Sequence, residues 1–465
     1  MKSSDDLVNC IQDFLVEIKG DLPSEIAMCT ADSRRVMSGA VFCVVKGSSE
    51  DGTKYAKDAI GKGASLLVSA ELIDLDIPQI IVRDVRKVLA LLCAEFNECS
   101  ADRLKVIAVT GTNGKTSTAY MVADILNSCG HLAALNGTVA GGVPGKMKRS
   151  KLTTPGPEEL HEFFAESLKA GAEYAIIEAS SHGLEQDRLY GLSFEVGVFT
   201  NLSSDHLDYH GTMEKYFACK EKLFTDFDLK HAIINGDDEY GSRLRGVTFG
   251  KEGDCQVDQK TIKLAGIEIK PRVIGEFSLY NAAAAALVCL KVLGEDHLSG
   301  IKVALENFPG VPGRMEIFES GEKRAIVDFA HTADALEKAL KEARKSCSGK
   351  LKLVFGCGGD RDRGRRTGMG KVSDLADEVI ITNDNPRTEN PAQIVEDILG
   401  VKEYKAEVIY DRASAIRTAW GNLREGDLLI VAGKGHETKQ IFADRVIEFS
   451  DRDFLRNLIK EEIGA

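Results

Sequence analysis

The segment from residue 104 to residue 129 limits the possible folds of this chain more than any other. Leu104–Val109 is apolar except for Lys105, as in a buried strand, and Thr116–Cys129 has the pattern of a helix. Between them lies Thr110-Gly111-Thr112-Asn113-Gly114-Lys115-Thr116. Glycines let a backbone wrap phosphate oxygens, and the N–H groups and dipole of the following helix favour an anion. The segment therefore predicts a strand–loop–helix unit that binds the phosphates of a nucleotide.

Two side chains of this loop have predicted roles. Lys115 supplies a cation for the outer phosphates, and Thr116 supplies a hydroxyl ligand for Mg²⁺. The loop departs from the general pattern G-x-x-x-x-G-K-[ST], because Val109 stands where the first glycine would be. The alternative is a chance Gly-Lys-Thr triplet in an ordinary turn. A nucleoside triphosphate site by itself leaves kinase, motor, switch and ligase activities open.

The rest of the chain predicts an α/β protein of three domains. Short apolar runs alternate with helical stretches, which is typical of parallel sheets covered by helices. The 465 residues exceed one ordinary domain and suit three. The polar segment Asn97–Arg103 and the Pro- and Gly-rich segment Phe308–Gly313 indicate boundaries. We expect a small α/β N-terminal domain at 1–103, a central ATP-binding domain with a parallel sheet at 104–309, and a Rossmann-like C-terminal domain at 310–465.

Composition argues against several classes of function. The net charge of -13 disfavours a nucleic-acid coat, because phosphate backbones require a basic surface. The N-terminus lacks the apolar stretch of a signal peptide, and the longest apolar run, Ala282–Leu290, is too short to cross a bilayer. The 11 cysteines are scattered without a C-x-x-C pair, which indicates reduced thiols rather than a zinc site or a disulfide framework. We therefore expect a cytoplasmic protein with no membrane span and no nucleic-acid partner.

Candidate metal-binding side chains follow two of the predicted strands. Glu178 comes directly after Tyr174–Ile177, and a carboxylate at the carboxyl end of a strand beside a phosphate loop suits Mg²⁺. Asp205–His210 follows Val196–Thr200 and contains two aspartates and two histidines that can ligate a metal. The alternatives are an acidic residue of a solvated loop and a structural or surface histidine.

These motifs, in this order, resemble the Mur ligase family. The resemblance is carried by the segments Gly111–Thr116, Glu178 with Ser180-Ser181-His182, and Asn201-Leu202-Ser203-Ser204-Asp205-His206-Leu207-Asp208. It extends from Asp32-Ser33-Arg34 to Gly433-Lys434-Gly435-His436-Glu437, which is nearly the whole chain. The shortened phosphate loop of that family also lacks the first glycine. The resemblance implies a cytoplasmic, ATP- and Mg²⁺-dependent ligase of peptidoglycan synthesis.

The resemblance also implies which residues serve ATP and the metal. Lys220 matches a lysine that is carbamylated in the family, which makes its amine an anion able to bind or orient Mg²⁺. From composition alone, a helical lysine would be a surface charge. The implied catalytic residues are Lys115, Glu178, His206 and Lys220, and the implied metal-site residues are Thr116, Glu178, His206 and Lys220. The implied ATP-binding residues are Gly111, Thr112, Asn113, Gly114, Lys115, Thr116, Ser117, Asn281, Arg314, Asp328 and His331.

A site for a UDP-muramoyl peptide is implied in the same way. Ser33 resembles the uridine contact of the N-terminal domain. The residues that resemble contacts to the muramoyl peptide are Thr153, Thr154, Ser180, Gln186 and Arg188. The alternative for the two threonines is plain turn chemistry before Pro155. One departure is Phe329, which stands where many relatives carry tyrosine, so that any hydroxyl role there is lost.

The turn Asp384-Asn385-Pro386-Arg387 indicates which amino acid is added. Proline fixes the turn, and the arginine fork suits a carboxylate. Meso-diaminopimelate has a second zwitterionic centre at its far end, whereas lysine has only an ammonium there, which an arginine would repel. The motif resembles that of diaminopimelate-adding enzymes, and the implied pocket residues are Arg361, Asp384, Asn385, Pro386, Arg387, Gly433 and Glu437. The alternative is a capped turn with a surface arginine.

A group of arginines precedes this turn in an otherwise acidic protein. Its members are Arg361, Arg363, Arg365 and Arg366. Such a cluster fits a cleft for an anionic substrate. The alternative is a solvated loop neutralised by Asp360 and Asp362.

The family implies a reaction in two steps. The side-chain carboxylate of D-glutamate attacks the γ-phosphate of ATP, and the amine of diaminopimelate then attacks the acyl phosphate and releases phosphate. We expect three partners, UDP-N-acetylmuramoyl-L-alanyl-D-glutamate, meso-diaminopimelate and ATP, bound to a monomer whose C-terminal domain closes onto the central one. The alternatives are a lysine-adding Mur ligase, a folylpolyglutamate synthetase, and a non-catalytic nucleotide-binding scaffold with the same fold.

Overall fold

The computed structural model describes residues 1–47, 51–361, 363–400 and 406–463. The chain is α/β throughout, as the alternation of apolar runs and helical stretches predicts. It forms two compact units, one of Met1–Lys270 with Tyr280–Glu306 and one of Pro271–Leu279 with Asn307–Ala465. The division at residues 103 and 309 into three domains stays a prediction.

The first unit begins with a small sheet covered by helices. Its elements are β1 (Lys2–Ser3), α1 (Ser4–Cys10), β2 (Leu15–Lys19), β3 (Glu25–Ile26), β4 (Met28–Thr30), β5 (Ala40–Cys43), α2 (Ala56–Gly61), β6 (Ala64–Ser69), β7 (Gln79–Val82) and α3 (Val85–Phe96). The sheet has the order β2-β7-β6-β5-β4, and β4 to β7 are parallel while β2 is antiparallel. Residues on one face of these strands, such as Val41 and Val68, share a core with Leu89 and Leu92 of α3.

The central part of this unit is a larger sheet of order β11-β10-β9-β12-β8-β13-β14-β15-β16-β17-β18. The strands from β9 to β16 in that order are parallel, whereas both edges end in antiparallel strands. The elements are β8 (Lys105–Thr110), α4 (Lys115–Ser128), β9 (Ala133–Asn136), β10 (Ala140–Gly142), β11 (Lys148–Arg149), α5 (Pro157–Lys169), β12 (Tyr174–Glu178), α6 (Ser181–Glu185), β13 (Phe194–Phe199), α7 (Leu207–His210), α8 (Met213–Thr225), β14 (Leu229–Asn235), β15 (Val247–Gly250), β16 (Cys255–Asp258), β17 (Thr261–Leu264), β18 (Ile267–Ile269), α9 (Glu276–Leu293) and α10 (Leu298–Glu306).

This arrangement places the predicted site residues at one edge of the central sheet. The parallel strands β8, β12 and β13 are neighbours, and each ends just before a loop with polar side chains. Buried apolar side chains of these strands, such as Val106 and Ile177, form a core with α5 residues Leu160 and Phe164. The carboxyl ends of parallel strands meet at one edge of a sheet, which is where ligands of open α/β sheets bind.

Helix α9 is longer than the apolar run that the sequence singles out. By length and composition it could cross a membrane, and 56% of its most apolar window is buried inside the fold. The run Ala282–Cys289 is buried, and Cys289 Sγ donates a weak hydrogen bond to Val122 O of α4. The apolar character of this helix is thus explained by packing in the protein core.

The second unit is a doubly wound sheet of order β19-β20-β24-β21-β22-β23, parallel except for β19. One face packs against α11, α12 and α13, and the other against α14 and α15. The elements are β19 (Glu316–Ser320), β20 (Lys323–Asp328), α11 (Ala333–Lys345), β21 (Leu351–Phe355), α12 (Gly364–Val372), β22 (Glu378–Ile381), α13 (Pro391–Leu399), β23 (Glu407–Val408), α14 (Arg412–Gly421), β24 (Leu428–Ala432), β25 (Lys439–Ile441), β26 (Val446–Glu448) and α15 (Asp451–Ile463).

Candidate functional site

The phosphate loop, Gly111–Thr116, connects β8 to α4 and requires two glycines. Gly111 and Gly114 have φ values of 143° and 83°, which residues with a side chain rarely adopt. A Cβ atom at Gly111 would collide with the Thr200 hydroxyl, and one at Gly114 would collide with the Asn281 amide. The loop is therefore packed directly against β13 and α9, and Asn281, a predicted ATP contact, lies beside it.

The β13 end also fixes the backbone of the loop. Asn113 N donates to Asn201 Oδ1 (3.0 Å), and Asn201 Nδ2 donates to Asn113 O (3.1 Å). Thr112 Oγ1 donates to Tyr216 Oη (3.2 Å) and accepts from Ser203 N (3.0 Å). Ser117, another predicted ATP contact, lies in the first turn of α4. These bonds hold the loop in shape through its neighbours.

Two lysine amines converge on one carbonyl oxygen of the phosphate loop. Lys115 Nζ donates to Gly111 O (2.8 Å) and Thr112 O (2.9 Å), and Lys220 Nζ also donates to Gly111 O (2.8 Å). Lys220 is 1% exposed, so it is not the surface charge that its position on a helix suggests. Burial and the nearby Lys115 cation hold the pKa of Lys220 well below its usual value.

Glu178 lies at the end of β12 and is 1% exposed. Its carboxylate accepts hydrogen bonds from Thr116 Oγ1 (3.0 Å), Thr138 N (2.8 Å) and Thr138 Oγ1 (3.0 Å). A buried carboxylate with two hydroxyl groups is an all-oxygen set of donors, which fits Mg²⁺. The structure thus brings together Thr116 and Glu178 and adds Thr138, which sequence reasoning missed.

His206 lies apart from the Glu178 cluster in its described contacts. It is exposed, has a φ of 52°, and its Nε2 lies 3.5 Å from Asp205 Oδ2. Its ring centre is 5.1 Å from that of His182 and 6.4 Å from that of Tyr216. The side chain of Asp208, the other predicted aspartate of this loop, is outside the described part of the structure.

The predicted muramoyl-peptide residues form one hydrogen-bonded group around the end of β12. Thr154 Oγ1 donates to Glu178 O (2.7 Å) and accepts from Ser180 N (2.9 Å). Thr153 Oγ1 lies 3.1 Å from Thr138 Oγ1, so this hydroxyl adjoins the Glu178 carboxylate. The threonines before Pro155 therefore do more than shape a turn.

Arg188 completes this group from the loop after α6. Its Nη1 donates to Thr154 O (2.5 Å), and its Nη2 donates to Gln186 Oε1 (2.6 Å). Burial lowers the pKa of Arg188 from its usual value. The five predicted contacts Thr153, Thr154, Ser180, Gln186 and Arg188 are thus adjacent in space.

Ser33 lies in the turn that follows β4 and is buried. Its carbonyl oxygen accepts a hydrogen bond from Lys62 Nζ (3.2 Å). The same turn is attached to α5, because Ala31 N donates to Glu158 Oε1 (2.5 Å). Since α5 begins directly after Thr154-Pro155-Gly156, this helix connects the predicted uridine contact to the predicted muramoyl-peptide contacts.

In the second unit, the predicted ATP-site residues gather at the end of β20. Asp328 accepts hydrogen bonds from Met315 N (2.8 Å) and Ala330 N (2.8 Å), and burial raises the pKa of its carboxyl group. The Arg314 guanidinium lies 4.6 Å from the centre of the Phe329 ring. The centre of the exposed His331 ring is also 4.6 Å from that of Phe329. Phe329 therefore acts as a stacking platform, a role that needs no hydroxyl.

The turn Asp384–Arg387 follows β22 and meets the loop after β24. Asn385 Nδ2 donates to Glu437 Oε2 (2.9 Å), and the buried Lys434 donates to the same oxygen (2.8 Å). A Cβ atom at Gly433 would lie 2.9 Å from Asp384 Oδ2, so the backbone must approach this carboxylate closely. Burial raises the pKa of Asp384, against the opposing effect of the Lys434 cation. Lys434 is a further residue that sequence reasoning missed.

Arg387 has a φ of 53°, and hydrogen bonds fix both its backbone and its guanidinium group. Its backbone N donates to Ile441 O (3.0 Å), and its Nη1 donates to Gly359 O (2.6 Å). A Cβ atom at Gly358 would lie 3.1 Å from Arg387 Nη1 and 3.8 Å from Arg361 Cγ. The two predicted arginines are thus neighbours across a glycine, beside Pro386.

The remaining arginines of the cluster divide into two kinds. Arg363 and Arg365 are exposed, whereas Arg366 is buried and paired with Glu389 and Asp397 at 2.7 Å each. Including Arg366 in an anionic cleft is wrong, because two carboxylates already neutralise it. Asp362, the predicted neutralising residue of this loop, lies outside the described residues.

A buried ion pair supports the turn Asp384–Arg387. Arg412, at the start of α14, pairs with Asp451, at the start of α15, through two bonds of 2.7 Å. Neither side chain is exposed. The same guanidinium donates to Ala432 O (2.9 Å) and Asn383 O (3.3 Å), which are the residues before Gly433 and Asp384.

The comparisons with known proteins agree with this geometry. Residues 109–289 match the Mur ligase middle domain, and residues 313–435 match the Mur ligase glutamate ligase domain. A UDP-N-acetylmuramoyl-L-alanyl-D-glutamate–2,6-diaminopimelate ligase of Clostridium botulinum is 40% identical over 94% of this chain and 96% of its own length. The protein of the same name from Aquifex aeolicus is 40% identical over 92% of this chain and 93% of its own length.

Solved structures give the same result. The structure of a protein with that name superimposes with a TM-score of 0.72 at 31% identity, over 96% of this chain and 97% of that one. A MurF ligase from Thermotoga maritima in complex with ADP shares the fold, with a TM-score of 0.56 at 18% identity, over 94% of this chain and 98% of that one. The resemblance seen in the motifs is confirmed, and the chain belongs to the Mur ligase family.

Proposed function

We propose that this protein joins meso-diaminopimelate to UDP-N-acetylmuramoyl-L-alanyl-D-glutamate, using ATP and Mg²⁺, in the cytoplasmic stage of peptidoglycan synthesis. As a Mur ligase it is an acid–amino-acid ligase. Relatives named for this reaction match nearly its whole length at up to 40% identity. The observation that carries the choice of amino acid is the turn Asp384–Arg387, in which Arg387 neighbours Arg361 across Gly358 and Asn385 donates to the carboxylate of Glu437.

The phosphate loop supplies the positive charge that phosphoryl transfer requires. In the proposed reaction Lys115 and the N–H groups of the loop hold the outer phosphates of ATP. Thr116 and Glu178 would hold Mg²⁺, which supplies charge neutralisation at the phosphates when bound. Lys220 would contribute as a carbamate, since its amine is buried beside the loop. His206 would have to turn toward the metal from its present contacts with His182.

The muramoyl-peptide group orients the acceptor. We propose that Arg188 and the hydroxyls of Thr153, Thr154 and Ser180 hold the peptide so that the carboxylate of D-glutamate points at the phosphate loop. Support comes from the bonds that connect this group to Glu178. Alignment of this kind accounts for much of the rate of a reaction that needs little covalent chemistry from the protein.

The amino-acid pocket would recognise the far end of the added residue by its two charges. The carboxylates of Asp384 and Glu437 accept from the ammonium at the far end, and the guanidinium groups of Arg361 and Arg387 bind the carboxylate beside it. A lysine substrate lacks that carboxylate and would leave the two arginines without an anion. The proposed preference is therefore for meso-diaminopimelate over lysine.

An amino-acid panel tests this function directly. Purified protein is supplied with ATP, Mg²⁺ and UDP-N-acetylmuramoyl-L-alanyl-D-glutamate, and phosphate release is followed with meso-diaminopimelate, its LL and DD isomers, lysine and ornithine. We expect release with meso-diaminopimelate at least tenfold above lysine. Higher turnover with lysine would identify a lysine-adding ligase. ATP binding without release for any amino acid would favour a non-catalytic scaffold, and activity only with a folate and glutamate would favour a folylpolyglutamate synthetase.

A further inference from the structure

Three side chains with metal-binding atoms meet on the side of α8 near the phosphate loop. They are Glu185, the last residue of α6, His210, the last residue of α7, and Cys219, in the middle of α8. One ligand atom from each lies within 4.8 Å of the other two. Although His210 lies in a segment that the sequence marks as a metal-ligand candidate, the group itself is not predicted, because its members are scattered along the chain and do not form a C-x-x-C or H-x-x-x-H spacing. We propose that Glu185, His210 and Cys219 form a binding site for a thiophilic divalent cation such as Zn²⁺.

The distance between the sulfur and the imidazole nitrogen fits such a cation. Cys219 Sγ lies 3.7 Å from His210 Nδ1. Typical Zn–S and Zn–N bonds at a tetrahedral angle place these two atoms about 3.6 Å apart. The pair can therefore bind one ion with almost no movement of either side chain. Glutamate, histidine and cysteine leave a fourth, open position, as in exchangeable rather than purely structural zinc sites.

A second observation comes from the carboxylate. Within the described part of the chain, Glu185 Oε2 is buried and has no hydrogen-bond partner. A buried carboxylate oxygen without a partner is costly, and a bound cation would relieve that cost. Glu185 is the only carboxylate of the group.

The imidazole is already oriented for this role. His210 is buried, and its Nε2 lies 2.9 Å from Ser181 Oγ. When Nε2–H donates to that hydroxyl, the lone pair of Nδ1 faces the sulfur. Metal-binding histidines commonly fix their tautomer through such a bond of the second ring nitrogen. Ser181 thus acts as a positioning residue for the proposed site.

The site differs from the proposed Mg²⁺ site in its donors. The Thr116–Glu178 group offers only oxygen atoms, which suit a hard cation. The group of Glu185, His210 and Cys219 offers nitrogen and sulfur, which Mg²⁺ binds poorly and Zn²⁺ or Co²⁺ binds well. A chain of contacts connects the proposed site to the phosphate loop, because the His210 ring stacks on Tyr216 at 5.0 Å between centres and Tyr216 is bonded to Thr112.

Cobalt titration of the full chain tests the proposal without ATP or any substrate, so its failure is separate from failure of the ligase assignment. The protein is reduced, freed of metal with a chelator, and titrated with Co²⁺. We expect one equivalent to produce a thiolate-to-cobalt charge-transfer band that Zn²⁺ abolishes and Mg²⁺ does not. Zn²⁺ should also raise the melting temperature, since a ligand that binds the folded state stabilises it.

Matched variants locate the signal. Cys219→Ala should remove the band, Glu185→Gln should keep it but weaken Co²⁺ binding at least tenfold, and Cys129→Ala, which removes another partly buried thiol, should leave it unchanged. Circular dichroism and the metal-free melting temperature verify that each variant is folded. An absent band in the unmodified protein, or a band that persists in Cys219→Ala, would overturn the proposal.

Discussion

The central and C-terminal sites differ in which groups accept hydrogen bonds from their lysine and arginine side chains. Beside the phosphate loop, Lys115 and Lys220 donate to backbone carbonyls, and burial together with the nearby Lys115 cation depresses the pKa of Lys220. In the second unit, Lys434 donates to Glu437, and Arg412 is paired with Asp451. The central site holds two lysine amines together where a polyphosphate is proposed to bind, whereas the buried Lys434 and Arg412 of the C-terminal site are paired with carboxylates.

This difference indicates two ways in which the charges of a pocket can be arranged before its ligand binds. Two lysine amines held close together favour an incoming anion, but their mutual repulsion costs stability in its absence. A compensated network keeps a precise shape and leaves recognition to the side chains at its edge, here Arg361 and Arg387. Activity should therefore be most sensitive to substitution near the phosphate loop, and folding most sensitive to substitution in the C-terminal network.

The largest expected effect is on stability of the second unit. Arg412→Met keeps the volume of the side chain but leaves Asp451 buried without a cation, which typically costs about 3–5 kcal/mol. Arg417→Met is the matched control, because Arg417 lies on the same helix and pairs with Glu461 on the surface, where such pairs contribute about 0–1 kcal/mol. Urea denaturation measures the free energy of unfolding of both variants. Equal losses in the two variants would contradict the comparison.

The next effect concerns catalysis at the phosphate loop. Lys220→Ala should lower the rate of amino-acid-dependent phosphate release by about 100- to 1,000-fold, the usual result of removing a group that stabilises developing charge. Short carboxylic acids should restore part of the activity if the lysine acts as a carbamate, because they can occupy the vacated space. The exposed Lys215 on the same helix is the control. Loss without rescue would indicate that Lys220 has only a structural role.

The acid sensitivity of the first unit provides a third test. Buried His161 is 2% exposed, and desolvation lowers its pKa from 6.5 to about 4. The unfolded chain binds a proton at this histidine more tightly than the folded chain does. The neutral His161 therefore contributes fully to the free energy of unfolding above pH 6.5, and this contribution, about 3 kcal/mol in total, is lost as the pH falls toward 4. Urea denaturation at several pH values should show this loss, and His161→Phe should reduce it. His131→Phe, at a partly exposed position, should leave it in place; an unchanged pH profile in His161→Phe would contradict the expectation.

The substitution with the smallest expected effect tests which amino acid the protein adds. Arg387→Ala should lower kcat/KM for meso-diaminopimelate by about 10- to 100-fold, the value of a charge-assisted hydrogen bond, and should not lower the use of lysine, whose ammonium the arginine repels. Arg365→Ala removes an exposed arginine of the same cluster and serves as the control. An undiminished preference for diaminopimelate over lysine would reject the proposed role of Arg387.

Much of the fold could be predicted because buried parallel strands are continuous apolar runs. Leu351–Phe355 and Leu428–Ala432 agree with their observed bounds. The antiparallel edge strands β10, β11, β17 and β18 were not predicted, since they are short and either partly buried or, in β11, exposed. Pattern alone cannot distinguish such segments from loops.

The residues of the candidate site also divide into those that could be predicted from the sequence and those that could not. Residues within a motif, such as Thr116 and Glu178, could be selected from the sequence, and the structure places them beside each other. Thr138 and Arg366 could not be assigned, because their surroundings depend on contacts from distant segments. Thr138 follows β9 and becomes relevant only through the order of strands in the sheet.

The pair of Arg412 and Asp451 also has a consequence for how the protein is made. Asp451 follows Arg412 by 39 residues and opens the helix α15. Until that helix has left the ribosome, the guanidinium that donates to Asn383 O and Ala432 O lacks its partner Asp451. The turn Asp384–Arg387, the proposed amino-acid site, therefore gains this support only after residue 451 has been made, later than the phosphate loop.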